Sequence, residues 1–180
     1  MGKQYDFLTD EDIEFIKFQK VFFIASASGK EVNLSPKGYD SLRVLDNKSI
    51  LFLDYPGSGD RTARDIRQGG DVTLMFTAFT GKPSILRLFC KGQIIEKTNQ
   101  KIVELLKYFT IFDVQLIRRL LIFEIYTVER SCGKSVPIMN FISERRDLIE
   151  AASKLRDIGT LEKFISDHKT PPILNRKIRR

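Results

Sequence analysis

Apolar residues along this chain change their spacing repeatedly, and each change marks an element. Ile13, Ile16 and Phe18 follow Thr9-Asp10-Glu11-Asp12, where a threonine cap and an acidic first turn predict a short helix ending near Gln19. Residues 21–27 (VFFIASA) are β-rich, Ser28-Gly29-Lys30 reads as a hairpin turn, and residues 31–35 give a second short strand. Ser35-Pro36-Lys37-Gly38 breaks the pattern, and residues 49–54 (SILFLD) form a third strand. Residues 61–68 supply two helical turns that stop at Gly69-Gly70. Strict alternation then returns over residues 71–79, with Val72, Leu74, Phe76 and Ala78 on one face. Residues 84–95 are a fifth strand carrying Leu86, Leu88 and Cys90 opposite Arg87 and Lys91. A helix over residues 100–108, a sixth strand over 120–130, and two helices over 141–158 and 160–168 complete the reading.

Six strands joined mainly by turns, with helices gathered at the ends, predict an α+β fold built on an antiparallel barrel. Regular strand–helix–strand alternation is missing, which argues against a doubly wound sheet. The expected division is a barrel over residues 1–140, with residues 141–180 adding C-terminal helices and a basic tail.

Composition removes several function classes. No apolar run reaches the length of a membrane span, and the first residues lack the basic and apolar regions of a signal peptide, so the expected location is cytoplasmic. Gly2 follows Met1, but the myristoylation pattern fails because Asp6 stands where the motif wants a hydroxyl. The formal charge is +7, but residues 175–180 alone carry four positive charges, so the excess reads as a solvated tail, and nucleic acid is an unlikely partner. The single histidine, His168, leaves little from which to build a zinc site or a Ser-His-Asp triad. Cys90 and Cys132 have no CxxC spacing and are expected as free thiols.

The segment LDYPGSGDRTARDI, residues 53–66, carries the candidate chemistry. It fails the P-loop pattern for want of a lysine. It fails the dinucleotide fingerprint because Thr62 stands where a third glycine belongs. What remains is a generic anion site: the backbone of Gly57, Ser58 and Gly59, the Ser58 and Thr62 hydroxyls, and the Arg61 guanidinium. A charge-assisted hydrogen bond contributes roughly 1.5–3 kcal/mol and a helix end only about 0.3–1 kcal/mol, so the side chains dominate such a site. Arg61 and Arg64 at a helix start also favour an anion nearby, although Asp60 and Asp65 partly supply one. A tight turn followed by a surface helix is the plain alternative.

The order of motifs resembles the pyridoxamine 5′-phosphate oxidase-related family of FMN-binding split β-barrels, in an uncharacterised branch. The similarity runs through FFIASASGKEVNLSPKGYDSLRVLD, ILFLDYPGSGDRTARDI, VTLMFTAFTGKPSILRLFCKG and SCGKSVPIMNF, covering residues 15–141. The resemblance implies a six-stranded antiparallel split barrel with flanking helices, and a homodimer with FMN at the subunit interface. It also implies oxidoreductase chemistry that moves hydride or electrons between a reduced nicotinamide and an unknown acceptor.

By that resemblance, Lys37 matches a lysine that contacts the flavin ring, and Arg61 matches the arginine of a Ser-Arg-Lys phosphate run. Asp60 stands in place of the serine, Thr62 in place of the lysine, and Val32 in place of a further arginine. A cation beside the flavin's N1 and C2 carbonyl stabilises the reduced ring, which suits Lys37, and Ser35 is placed to donate to the ring edge. An exposed turn lysine and a turn-initiating serine are the alternatives. No counterpart of the oxidase's substrate-binding C-terminal segment is visible in KTPPILNRKIRR, so pyridoxine phosphate oxidation is not implied. Relatives use the deazaflavin F420 or haem, and a non-catalytic binding protein with a nucleic-acid-contacting tail is the reading from another class. Arg87 and Cys132 are further residues of open role.

Overall fold

The computed structural model describes residues 2–29, 31–110 and 114–171, so Lys30 of the expected hairpin turn and the basic tail lie outside the described residues. Its strands are β1 (Lys3–Tyr5), β2 (Phe22–Ala27), β3 (Val32–Lys37), β4 (Leu42–Asp46), β5 (Ser49–Asp54), β6 (Asp71–Thr77), β7 (Ile85–Glu96) and β8 (Arg119–Ser131). Its helices are α1 (Asp10–Phe18), α2 (Arg61–Arg67), α3 (Ile102–Leu106), α4 (Asp147–Asp157) and α5 (Leu161–Asp167), and a 3₁₀ turn covers Val114–Leu116.

The described strands form one antiparallel sheet ordered β3-β2-β6-β7-β8-β5-β4, with β1 joining the far half of β8. β3 and β4 end this path without pairing to each other, so the barrel is split along that seam. Alternation explains the core: Phe22, Ile24, Leu74, Phe76, Leu86, Leu88, Phe123 and Ile125 all point inward and are buried. The fold class is therefore α+β with an antiparallel split barrel, as expected.

All six expected strands are present, and two more join them. β4 was hidden because only a two-residue turn, Asn47-Lys48, separates it from β5, with Asp46 Oδ1 accepting the Lys48 N–H at 2.7 Å in place of a glycine signal. β1 is three residues long and too short for periodicity to register. β3 also runs through Pro36 to Lys37, where the sequence reading had a break. Proline is tolerated there because β3 has a neighbour on one side only.

The helix expected over residues 141–158 begins only at Asp147. Phe141 and Ile142 are 53% and 93% exposed, so no burial offsets the cost of winding that segment into a helix. Ile149, Ala152 and Leu155 of α4 pack instead against Leu116 of the 3₁₀ turn and against Leu161 and Ile165 of α5. α2 ends as the glycines predict: Gly69 has φ +73°, its N–H bonds the Ile66 carbonyl, and the Gly70 N–H bonds that of Asp65, each at 2.9 Å. No helix among the described residues is long and apolar enough to cross a membrane.

Candidate functional site

β3 is amphipathic in the reverse of the usual sense. Asn33, Ser35 and Lys37 pair with Ser26, Ile24 and Phe22, and so share the inner face of the barrel, while Val32, Leu34 and Pro36 face outward. This polar inner face borders a cavity of about 400 Å³ in the split. The opposite walls are Phe52, Asp54 and Tyr55 from the end of β5 and the loop leading into α2. Ser35, Lys37, Gly57, Ser58, Gly59, Arg61 and Thr62 all line this one cavity, although β3 and the loop lie far apart in sequence. Its volume falls within the roughly 300–1,000 Å³ of small-molecule and cofactor sites.

A buried ion network sits behind the loop. Arg118 donates to Asp54 through Nε (3.0 Å) and Nη2 (3.1 Å) and to the Gly59 carbonyl through Nη1 (2.9 Å). Arg119, fully buried, places Nη1 3.0 Å from one Asp60 oxygen and 3.1 Å from the other. The negative charge of Asp60, which departs from the family's phosphate run, is therefore turned inward onto Arg119. Burial lifts its carboxyl above the ordinary range, against the pull of Arg119 and Arg118. Asp60 does not cap α2 with its side chain. Arg118 itself lines the cavity and brings a cation to the loop from a distant part of the chain.

Arg61 and Arg64 meet their anion within the protein. Glu31, between β2 and β3, lies 3.2 Å from Arg61 Nε and pairs with Arg64 Nη1. Arg64 also pairs with Asp65 at 2.7 Å. The argument that cations at this helix start call for an external anion thus loses its force, since Glu31 and Asp65 provide the charge. A polar chain fixes the rest of the wall: Asn33 Nδ2 donates to the Thr62 hydroxyl at 3.0 Å, and Ser26 donates to Asp65 at 2.7 Å.

Two features match an anionic, ring-bearing cofactor. A Cβ built on Gly57 or Gly59 meets nothing within 4 Å, and neither glycine has a left-handed φ, so the fold does not itself demand glycine at these positions. Their bare backbone leaves room for a ligand to approach closely. At the other end of the cavity, the half-buried Lys37 ammonium lies 5.9 Å from the Phe52 ring centroid and makes no hydrogen bond or ion pair among the described residues. Burial holds it below the ordinary lysine range, with Asp54 opposing that shift and Arg118 adding to it. The donor set therefore fits a flavin mononucleotide: backbone, hydroxyls and guanidinium for phosphate, and an uncommitted ammonium for the ring.

Other sequence candidates stand elsewhere. Arg87 projects from the outer face and bonds Glu129 at 3.2 Å and Ser131 at 3.0 Å. Cys132 is exposed and Cys90 is buried, both as free thiols, and burial pushes the Cys90 thiol up to about 12. His168 closes α5 with Nδ1 2.7 Å from the Phe164 carbonyl, away from the cavity lining. No cluster of metal-ligating side chains occurs among the described residues.

No family model matches the chain. An Aspergillus flavus protein, the pyridoxamine 5′-phosphate oxidase family protein ustO, is 34% identical over 140 residues, which is 76% of this chain and 56% of that protein. Over that span the chain is homologous to this pyridoxamine 5′-phosphate oxidase family protein. It covers little more than half the length of this relative. Solved structures agree in fold. A candidate pyridoxamine 5′-phosphate oxidase of Lactobacillus delbrueckii superposes with a TM-score of 0.55 at 18% identity, over 71% of this chain and 97% of that one. The haem storage protein HutZ of Vibrio cholerae gives 0.50 at 15% identity with the same coverage. The FAD-binding protein of Mycobacterium smegmatis gives 0.50 at 8%, again over 71% and 97%. At these identities the likeness is one of fold.

The sequence reading missed Asn33, Tyr39, Asp54, Tyr55 and Arg118 as lining residues. The double arginine opening β8 was the available signal, since two adjacent cations at the start of an apolar strand need buried partners.

Proposed function

We propose that this chain binds FMN in the split-barrel cavity and acts, as a homodimer, as an FMN-dependent oxidoreductase. The observation that carries this reading is the convergence of the loop residues 57–62 and of Ser35 and Lys37 on one cavity of about 400 Å³. Arg61, Ser58 and the glycine backbone would hold the phosphate, and Lys37 would face the ring. Bound FMN supplies reversible hydride or electron uptake, from a reduced nicotinamide in this reading. The protein's part is to place the ring, keep an ammonium beside the atoms that gain charge, and exclude water with Phe52 and Tyr55.

Dimer formation is supported by the outer face of β3, β2, β6 and β7, where Leu34, Phe23, Met75 and Phe89 stand on a sheet surface with Val32 and Leu34 77% and 63% exposed. A cytoplasmic setting belongs to the same reading and agrees with two free thiols. Haem is the weaker cofactor, because the one imidazole in the chain lies off the cavity.

The test is the visible spectrum of protein purified without added cofactor, followed by chromatography of whatever denaturation releases. A two-banded flavin spectrum with FMN released is expected. Release of FAD or F420 would change the cofactor while keeping the site. Colourless protein that also takes up no added FMN would refute the reading.

A further inference from the structure

A second cavity, of about 480 Å³, adjoins the first and shares Gly38 and Tyr39 with it as a common wall. Its lining is aromatic and aliphatic: Phe18, Val21, Phe79, Met139 and Phe141. One side is an irregular strap, residues 139–145, tied to the barrel by the Met139 N–H on the Phe79 carbonyl at 2.9 Å. This strap continues the SCGKSVPIMNF motif, to which the cofactor reading gives no task.

Two cations stand at this cavity. Lys20 Nζ lies 5.7 Å from the Phe141 ring centroid, and neither Lys20 nor Arg145 has an ion pair among the described residues. Glu144 is the one carboxylate in the lining, and its Oε2 sits by Gly38, at the end toward the first cavity. The balance favours one negative charge on an otherwise apolar guest. The shared wall is itself unusual. Tyr39 is a non-glycine residue with φ +59°, its ring packs edge-on against Tyr55 at 5.7 Å, and its hydroxyl lies by the Leu148 backbone N–H. Left-handed backbone at a bulky residue is strained, and such strain clusters at functional sites.

We propose that this second cavity binds an apolar, ring-bearing molecule with one carboxylate or sulfonate group, and that in the FMN-loaded protein it is the substrate site. The second clause rests on the FMN reading; the first does not. The aromatic and aliphatic part of the lining suits a ring system better than a compact phosphate ester, and the strained Tyr39 separates substrate from cofactor by one side chain.

The experiment compares two fluorescent probes that differ by one acidic group: 8-anilinonaphthalene-1-sulfonate and its neutral parent, N-phenyl-1-naphthylamine. Each is titrated into the full chain with and without FMN. The sulfonate is expected to bind at one site per chain, at least fivefold tighter than the parent. Lys20→Ala with Arg145→Ala should erase that preference, and Met139→Asp should abolish binding of both probes. Val103→Asp, on the exposed face of α3 and outside both cavities, should change neither. In FMN-loaded protein, the sulfonate should also shift the visible flavin bands. Equal affinity for the two probes, or binding indifferent to Met139→Asp, overturns the proposal, as does binding confined to monomer because a second copy covers the strap. The probe pattern holding in protein that takes up no FMN supports the site and fails only the cofactor reading.

Discussion

Arg118, which precedes β8 and lies beside the end of β5, grips Asp54 with hydrogen bonds of 3.0 and 3.1 Å and the Gly59 carbonyl with one of 2.9 Å. The residue before the last strand thus locks the end of β5 to the loop that faces the cavity. Both side chains are more than nine-tenths buried, so their pairing offsets a large desolvation cost. Removing one partner strands the other. Arg118→Ala is expected to lose about 3–5 kcal/mol of stability in urea unfolding. The double change Asp54→Asn with Arg118→Gln should be markedly milder, because no net charge is left buried. A double variant as unstable as the single one would mean the packing of Arg118, rather than its charge, is what matters.

The glycines divide into those the fold needs and those it does not. A Cβ on Gly70 would stand 2.2 Å from the Ala27 carbonyl oxygen, where α2 returns against β2, and backbone cannot move aside. Gly70→Ala should therefore destabilise by about 1–3 kcal/mol or more. Gly59→Ala meets open space and should leave stability unchanged or raise it by about 0.4–1 kcal/mol. The same Gly59→Ala should weaken FMN binding measurably by flavin fluorescence titration. A variant with unaltered affinity would remove the loop backbone from the phosphate site.

Under the proposed FMN reading, Glu31 competes with the phosphate for Arg61. With Arg61 Nε 3.2 Å from its carboxylate, an incoming phosphate must share or displace that contact. Arg61→Ala should cost roughly ten- to a hundredfold in FMN affinity, the equivalent of one charge-assisted contact of about 1.5–3 kcal/mol. Riboflavin, which lacks the phosphate, should lose little. Glu31→Gln should shift the ratio the other way and tighten FMN over riboflavin. Fluorescence-quenching titrations of both flavins against the three proteins check all of this. An Arg61→Ala protein that loses both flavins equally would assign the arginine to the fold.

How much of this was legible before the structure follows from the range of the interactions. Alternation in β2, β6, β7 and β8 gave the barrel, because inward positions every second residue are dictated locally. The loop that lines the cavity was legible because glycines, hydroxyls and an arginine stand side by side in GSGDRT. β3 was cut short at Pro36 because its tolerance for proline depends on having no neighbour on one side, a property of topology rather than of sequence. Glu31 and Asp54, the carboxylate that meets Arg118, were hidden for a different reason. Their partners lie 30 and 64 residues away, and nothing local distinguishes a carboxylate that will meet an arginine from one that will meet water.

Acid sensitivity is expected to trace to Asp12 at the opposite end of the barrel. Its side chain is fully buried, and Arg130 Nη2 stands 2.6 Å from Oδ1. The Thr9 N–H (2.9 Å), the Thr9 hydroxyl (2.8 Å) and the Tyr5 hydroxyl (2.8 Å) complete its partners. Burial alone would raise its carboxyl, but these donors outweigh it and hold the group below the ordinary carboxylate range. Burial and the bond to Asp12 also push the Tyr5 phenol up to about 12, so Tyr5 remains a donor at every pH of interest. A depressed folded-state value means that the stabilisation is fully present above the unfolded value, near 3.9, and disappears as the pH falls through the folded one. Unfolding free energy should therefore fall toward acid more steeply in the natural protein than in Asp12→Asn. Asp65 and Glu31 are held low as well, and they keep some acid sensitivity in both proteins, so the difference between the two isolates Asp12. Asp12→Asn should be the less stable protein at pH 7, by about 1–3 kcal/mol for the donors left unsatisfied, with the gap narrowing below pH 4. Parallel urea titrations at pH 7, 5, 4 and 3 decide it: a gap that stays constant would mean that Asp12 is neutral in the folded state already.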